Sequence, residues 1–528
     1  MKRNTTLIIR RLLRRAFGVM PAIAPLFSSG FADNPIISHR FTADPNAMVS
    51  KGRVYVYCSN DDDNNNNSYG ISSYILISSD DMANWTDHGE IFRVPRDASW
   101  ATRAYAPTCI ERGGKYYLYF PDGGNSIGVA VGDRPEGPFK DPLGKSLVNR
   151  SMPNCDVEWC FDPAIFIDTL GKPYLYFGGG SKGTGANLRV IELGEDMISV
   201  KGTAKTINAP ESFEASFMHK RNGIYYFSYA TTGASKIDYL MGDNPLGPFT
   251  HKGTVLPNPT LNGQNINRNN NNHASIVEFN NQWYMFYHDR RISDEVYKRN
   301  VSADLLAYNG DGTMKTVAVT AASVPQIKPL NPFDTVQAET IGKQKGIETD
   351  ACTEGGMMVK DIADGDWIRY TGVDFGAGAS RFEARVAAAT GGSIELHLES
   401  ETGTKAGTCE VTATGGVTTW KTVSCNVTGV SGKKDLYLVF KGSGEPFRFN
   451  WFKFSKSTGV KVKAGSSGNG RRRAKPEKQM NMGKIPEENA AALVDLSGRS
   501  IAIDRNPAPH RGRQPAGITI FRQREISR

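Results

Sequence analysis

Glu214 stands between two phenylalanines in the run Pro210-Glu211-Ser212-Phe213-Glu214-Ala215-Ser216-Phe217. A carboxyl among apolar neighbours resists ionisation, because a low-dielectric surround disfavours the charged form, and a carboxyl kept protonated near neutrality can hand a proton to a leaving oxygen. An ordinary loop acid is the plain alternative for any single glutamate. Two aspartates share a second local pattern, Ala43-Asp44-Pro45 and Phe161-Asp162-Pro163, each just ahead of a strand-like run. Turn chemistry at a strand start accounts for an Asp-Pro on its own, and Asp168, shortly before Pro173, is read as a turn acid of that kind. Three acids so far apart in the chain do joint chemistry only if the fold brings them to one place.

A repeated element supplies that place. From about 34 to 330 a short aromatic strand recurs, as Val54-Tyr55-Val56-Tyr57, Tyr116-Tyr117-Leu118-Tyr119-Phe120, Tyr174-Leu175-Tyr176-Phe177, Tyr225-Tyr226-Phe227 and Trp283-Tyr284-Met285-Phe286-Tyr287. Copies spaced by roughly 50 to 60 residues suit four-stranded sheets repeated radially, so the region is predicted to be a five-bladed β-propeller. The innermost strands of a propeller converge on one axis. Asp44, Asp162 and Glu214 precede the first, third and fourth copies, where single residues from different blades can meet. The asparagine runs at 64–67 and 269–272 are predicted loop tips, and the second, directly before His273, is placed to rim a site.

The ordered set ADP at 43–45, SSDDMANWTDHG at 78–89, FDPAIFID at 161–168, FEASFMHKRNGIYYFSYA at 213–230 and HASIVEFNNQWYMFYHDR at 273–290 resembles glycoside hydrolase family 43. The resemblance implies removal of arabinofuranose or xylose from plant cell-wall polysaccharide, with Asp44 as general base, Asp162 as the acid that orients the donor and raises its pKa, and Glu214 as general acid. An inverting glycosidase needs one protonated and one ionised carboxyl about 6.5 to 9.5 Å apart, to hold a water between base and sugar. His273 falls in a family motif and is implied to lie near the axis, against a core histidine as the bland reading. Arg290 could pair with the base, hold a substrate hydroxyl or form a surface ion pair. Trp100 is the aromatic chosen for stacking on a sugar, Trp85 is read as structural, and Tyr105, in Tyr105-Ala106-Pro107, is read as packing. The family usually has Glu-Gly-Pro at the donor, whereas Glu214 is followed by Ala215-Ser216, so the loop there is expected to differ.

A second domain is predicted from its alternating strands, Ser393–Leu398 and Asp435–Phe440 among them, as an antiparallel β-sandwich of jelly-roll type. VQAET at 336–340, DGDWIRY at 364–370, TGGVTTW at 414–420 and FRFNWFKF at 447–454 resemble carbohydrate-binding module family 6. The resemblance implies a structural calcium at Glu339, an exposed surface glutamate being the alternative; no cofactor is required for the chemistry. The family's stacking aromatics and sugar-fixing asparagine are replaced by Asp361, Val417 and Arg448, so the usual cleft is not expected to bind.

The ends differ from the body. Residues 1–32 are basic, then moderately apolar, then small, which is the pattern of a secretory signal. The tail from Lys456 to Arg528 holds 16 Lys or Arg against 6 Asp or Glu, and the first 32 residues hold six Lys or Arg and no acid, so of the formal +9 the stretch 33–455 carries −7. An acidic body argues against nucleic acid as a partner. The apolar part of the start is shorter than the roughly 20 residues a membrane helix needs, and no later segment qualifies. Seven cysteines in a secreted chain suggest that some are paired, without spacing to say which. The resulting organisation is a signal at 1–32, an all-β propeller at 33–328, a sandwich at 333–455, a basic linker at 456–490 and a sorting-like segment at 491–528. The expected protein is a secreted, monomeric, inverting α-L-arabinofuranosidase whose partner is arabinoxylan or xylan, with a β-xylosidase or a non-catalytic polysaccharide binder as the alternatives.

Overall fold

The structure is a computed structural model in which residues 33–61, 67–181, 185–233 and 235–457 are described. The signal at 1–32, the sorting-like segment and all of the linker beyond Ser457 lie outside the described residues.

Each predicted aromatic run is the second strand of an antiparallel sheet. Arg53–Asn60, Lys115–Asp122, Pro173–Gly178, Ile224–Thr231 and Gln282–Asp289 take that place in five successive sheets. These runs are apolar throughout, not alternately, because both of their faces are covered. Val54, Val56 and Cys58 pack toward Phe286 and Val301 of the last sheet, while Tyr55 and Tyr57 pack toward Tyr116 and Leu118 of the second. Successive side chains on a strand point to opposite faces, so one strand feeds two interfaces and must be apolar on each.

The first strands of the five sheets, Thr42–Ser50, Thr108–Arg112, Ala164–Ile167, Ser212–Arg221 and Ala274–Phe279, neighbour one another in a closed ring. This is a β-propeller. Its closure uses the start of the described chain: the N–H of Ile36 donates to the carbonyl of Val301 and that of Thr42 to the carbonyl of Arg299, laying residues 34–42 beside the last strand, Asn300–Leu306.

Residues 336–456 form an antiparallel β-sandwich, one layer of five strands running through Trp367–Asp374 and Lys433–Lys441, the other of six running through Ala379–Ala387 and Arg448–Lys456, with Val336–Gln337 paired to the last. Its core is dominated by phenylalanine, with Phe382, Phe440, Phe447, Phe449 and Phe452 buried completely. The two domains share a sheet. Thr340–Ile341 pairs with Trp85–Arg93 and becomes a fifth strand of the first propeller sheet. Beside that seam the buried Asp87 accepts from Arg40 at 2.9 Å, from Thr349 at 2.7 Å and lies 3.0 Å from His39 Nε2.

Three expectations from the sequence meet the structure here. Trp85 is structural: it is buried, edge-on to Phe286 at 5.8 Å. Asp168 is a turn acid, its Oδ1 accepting the N–H groups of Leu170 and Lys172. The expected cysteine pairing differs, since all seven cysteines stand as free thiols, six of them buried.

Candidate active site

All three predicted acids lie at backbone irregularities on or beside the innermost strands. Asp44 sits where the register of the first strand slips between Ala43 and Asn46, with φ of 48°. Asp162, with φ of 46°, ends the loop before Ala164–Ile167. Glu214 sits between two register shifts in Ser212–Arg221, followed by Ala215 at φ 63°. A bulge frees a residue from the ladder and re-aims its side chain, and left-handed backbone at non-glycine residues persists only where the surroundings over-determine it. The three carboxyls line one cavity of about 400 Å³ at an end of the propeller axis. Its walls carry Tyr69, Tyr105, Phe161 and Phe213, with Asn269–Asn271 on one side.

Electrostatics separates the acids. Burial works against ionisation of Asp44, but the Arg299 guanidinium, with Nη1 2.6 Å from Oδ1, together with His288 and His273 outweighs it and holds the carboxyl well below the usual range. Burial raises Glu214 to about 8, with the Asp44 charge adding to it and Arg299 and the Asn271 side chain opposing it. Asp162 is pushed well above the ordinary value by burial, then by the charges of Glu214 and Asp44. Near neutral pH the cavity therefore presents one ionised carboxylate, Asp44, and retains a proton on the Glu214–Asp162 side. That division is what proton donation to a leaving group and activation of water require of two carboxyls.

The histidines beneath are neutral. His273 Nδ1 lies between Asp44 and Asp162, 3.8 Å from one carboxylate and 3.7 Å from the other, and burial pulls its pKa down to about 4. His288 is likewise lowered to about 4 by burial; its Nε2 donates to the carbonyl of Asn271 at 2.9 Å, which leaves Nδ1 to accept the N–H of Asp44 at 3.2 Å. His273 is thus at the axis beneath the acids and contributes no charge there.

Other candidates are placed differently. Arg290 is buried and meets neither the base nor the surface: it donates to Asn271 Oδ1 at 2.7 Å, to the carbonyl of Val296 at 2.8 Å, to Tyr69 Oη at 3.1 Å and to Asn267. It holds the asparagine loop against the cavity. Trp100 is not brought to the cavity; its Nε1 donates to Asp141 at 2.7 Å and its partly buried ring tilts against Phe120, at the edge of the core between the first and second sheets. Tyr105, read as packing, is on the cavity wall, and Trp159 stands edge-on to both Phe161 and Phe213. Arg299, Asp61, Tyr69 and His288 were not singled out from the sequence. Arg299 lies in Lys298-Arg299-Asn300, one basic residue among many, and nothing local distinguishes it.

In the sandwich, the place of the usual sugar cleft is internally paired. Glu445 Oε1 accepts from the N–H of Asp361 at 3.1 Å and from Arg448 Nε at 3.3 Å, while Lys360 reaches the Asp361 carboxylate at 3.3 Å. Glu339 is 3 % exposed, its Oε2 has no hydrogen-bond partner, and burial raises its pKa to about 8.

A propeller with an aromatic-walled pocket on its axis, holding one ionised and one protonated carboxyl, defines a glycoside hydrolase. The sequence profile of glycosyl hydrolases family 43 matches residues 32–314 and that of carbohydrate binding module family 6 matches residues 337–456, so the chain belongs to glycoside hydrolase family 43 and carries a family 6 module. The chain is similar to an arabinoxylan arabinofuranohydrolase of Paenibacillus polymyxa, 38% identical over 478 residues, spanning 81% of this chain and 75% of that protein. It is 39% identical over 476 residues to an arabinoxylan arabinofuranohydrolase of Bacillus subtilis, spanning 80% of this chain and 92% of that one. A crystal structure of a family 43 arabinoxylan arabinofuranohydrolase from Bacillus subtilis, in complex with cellotetraose, superposes with a TM-score of 0.76 at 38% identity, covering 81% of this chain and all of that one.

Proposed function

We propose that the protein is a secreted α-L-arabinofuranosidase that removes arabinofuranosyl residues from arabinoxylan-type hemicellulose in a single displacement with inversion. The observation that carries the chemistry is the split between Asp44, kept ionised by Arg299, and Glu214, kept protonated by burial, on the walls of one small cavity. Glu214 gives its proton to the leaving glycosidic oxygen as the bond to the anomeric carbon breaks. Asp44 takes a proton from a water whose oxygen attacks that carbon from the opposite face. Asp162, raised in step with Glu214 and tied to the neighbouring backbone, orients the donor. A cavity of about 400 Å³ suits one sugar ring held end-on. The choice of arabinose rests on the two arabinoxylan arabinofuranohydrolases, each similar over about four fifths of this chain.

The test is chromatography of the sugar released from arabinoxylan and from linear xylo-oligosaccharides, by wild type and by Glu214→Gln. Arabinose from the polymer, lost in the variant, supports the reading. Xylose from the oligomers moves it to a β-xylosidase, the activity in the name of a Xylanibacter ruminicola relative 32% identical over about half of this chain. Proton NMR of the first turnover products checks inversion: the initial anomer is β for arabinofuranose released from an α-linkage. Secretion rests on the basic-then-apolar start, and N-terminal sequencing of protein from the medium is expected to begin at Asp33.

A structural calcium at Glu339 belongs to the same proposal. A buried carboxylate oxygen without a donor and a pKa raised by burial is what remains when a cation's charge is left out of account. Among the described residues no group of three or more His, Cys, Asp or Glu gathers there, so the other ligands would be neutral oxygens, which calcium accepts. Chelation is expected to lower the melting temperature of the protein, with recovery on adding calcium, and Glu339→Gln to abolish the response.

A further inference from the structure

We infer that Asp61 is a positioning residue for the reaction: it holds the Arg299 guanidinium so that a single N–H, on Nη1, reaches the Asp44 carboxylate. This rests on the proposed roles of Asp44 and Glu214. Asp61 follows the second strand of the first sheet and is completely buried. Three donors converge on it, all from Arg299: the backbone N–H at 2.9 Å and Nε at 2.8 Å onto Oδ2, and Nη2 at 2.8 Å onto Oδ1. Among the described residues no acceptor is bonded to it; burial raises its pKa, and the Arg299 charge and these three bonds oppose that by favouring the carboxylate. The Tyr69 ring lies 4.8 Å from the guanidinium carbon and limits how the plane can turn. What is left for Asp44 is Nη1, at 2.6 Å from Oδ1.

The arrangement does two things for the base. A guanidinium presents matched pairs of N–H groups, and a buried one with a single carboxylate nearby forks it with two hydrogen bonds. If Asp61 were absent, Asp44 would be that carboxylate, with both oxygens engaged and neither free for water. Asp61 also offsets the Arg299 charge. The charged or titratable groups on the cavity wall are Asp44, Asp162, Glu214, Arg299, Tyr69 and Tyr105, with Asp61 and Arg290 behind Arg299 and Tyr69 and the neutral His273 and His288 beneath. Removing one negative charge from this set leaves Arg299 less compensated and favours ionisation of Glu214, which must stay protonated.

The experiment is the pH–rate profile of wild type and Asp61→Asn on arabinoxylan and on p-nitrophenyl α-L-arabinofuranoside, whose leaving group needs no proton. Asp61→Asn is expected to lower kcat by roughly 10- to 100-fold on both substrates with KM little changed, because the defect lies at water activation. Its alkaline limb on arabinoxylan is expected to move down by about half a pH unit or more. Glu214→Gln, by contrast, is expected to lose the polymer while keeping much of its rate on the activated glycoside. Asp61→Ser, which leaves room for water beside the guanidinium, is made in parallel, and either variant with a wild-type circular dichroism spectrum decides. A folded variant with unchanged kcat and an unmoved alkaline limb overturns the inference. Wild type inactive on both substrates would instead overturn the proposed function, and the two failures are distinct.

Discussion

The backbone N–H of Ala215 donates to Oδ2 of Asp162 across 3.0 Å, from a left-handed conformation with φ of 63°. This bond helps tie the third sheet to the fourth next to Glu214, and aims an amide dipole at the acid beside it. At the position where the family resemblance implies glycine, alanine takes the glycine conformation, held by the bond to Asp162.

Alanine in that conformation is strained, so Ala215→Gly is expected to raise stability by about 0.5 to 1 kcal/mol, seen as a higher urea midpoint, with kcat within about twofold. Lower stability would mean that the alanine methyl packs usefully at that site.

Glu214 titrates at about 8 in the folded protein, above its ordinary 4.5, so folding favours its protonated form. Stability is fully present below the unfolded value and declines as pH rises from about 4.5 to about 8. Activity that needs the proton falls off above about 8. Glu214→Gln should therefore cut the rate on arabinoxylan by about 10²- to 10⁴-fold. The same variant should be more stable than wild type at pH 7 by about 1 to 3 kcal/mol, measured by denaturant titration.

Asp44→Asn removes the proposed base and leaves the proposed acid, Glu214, in place. Release from arabinoxylan should fall by about 10²- to 10⁴-fold, and azide, which needs no deprotonation to attack, should restore turnover of the p-nitrophenyl glycoside as a glycosyl azide. Absence of azide product from a folded variant would count against Asp44 as base.

Asp87 is the charged centre of the seam between propeller and sandwich. Burial opposes its ionisation, yet Arg40 and His39 hold its pKa well below the usual range. The stability it contributes is present above the ordinary aspartate value and lost as pH falls through its lower folded value. Asp87→Ala leaves Arg40, which is partly exposed and keeps its bond to Thr349, without its carboxylate, and about 1 to 3 kcal/mol of destabilisation is expected. Because Thr340–Ile341 completes the first sheet, propeller and sandwich should unfold in one transition in wild type; two separated transitions would show that the shared strand does not couple them.

Glu445 is bonded to both Arg448 and the Asp361 backbone, at positions where the family resemblance implies a stacking aromatic and a sugar-fixing asparagine. Arg448→Ala is expected to leave retention on xylan in affinity electrophoresis unchanged, while a marked loss would place sugar there after all.

The sequence determined the architecture because its signals are local and repeated. Five aromatic runs, apolar on both faces, need sheets on both sides, and alternation in Ser393–Leu398 needs a single buried face. The three acids were legible for a related reason: Asp44, Asp162 and Glu214 each sit in a short pattern at the head of an innermost strand. What only the tertiary structure decided is their ionisation and their company. Arg299 reaches Asp44 across 255 positions of chain, and nothing in Lys298-Arg299-Asn300 marks it. Trp100 looked suited to a sugar until Asp141 and Phe120 were found to claim it, while Tyr105 took the wall instead. A pKa is set by burial and by charges within a few ångströms, and in a ring of sheets those neighbours come from strands that are close only after the ring has closed.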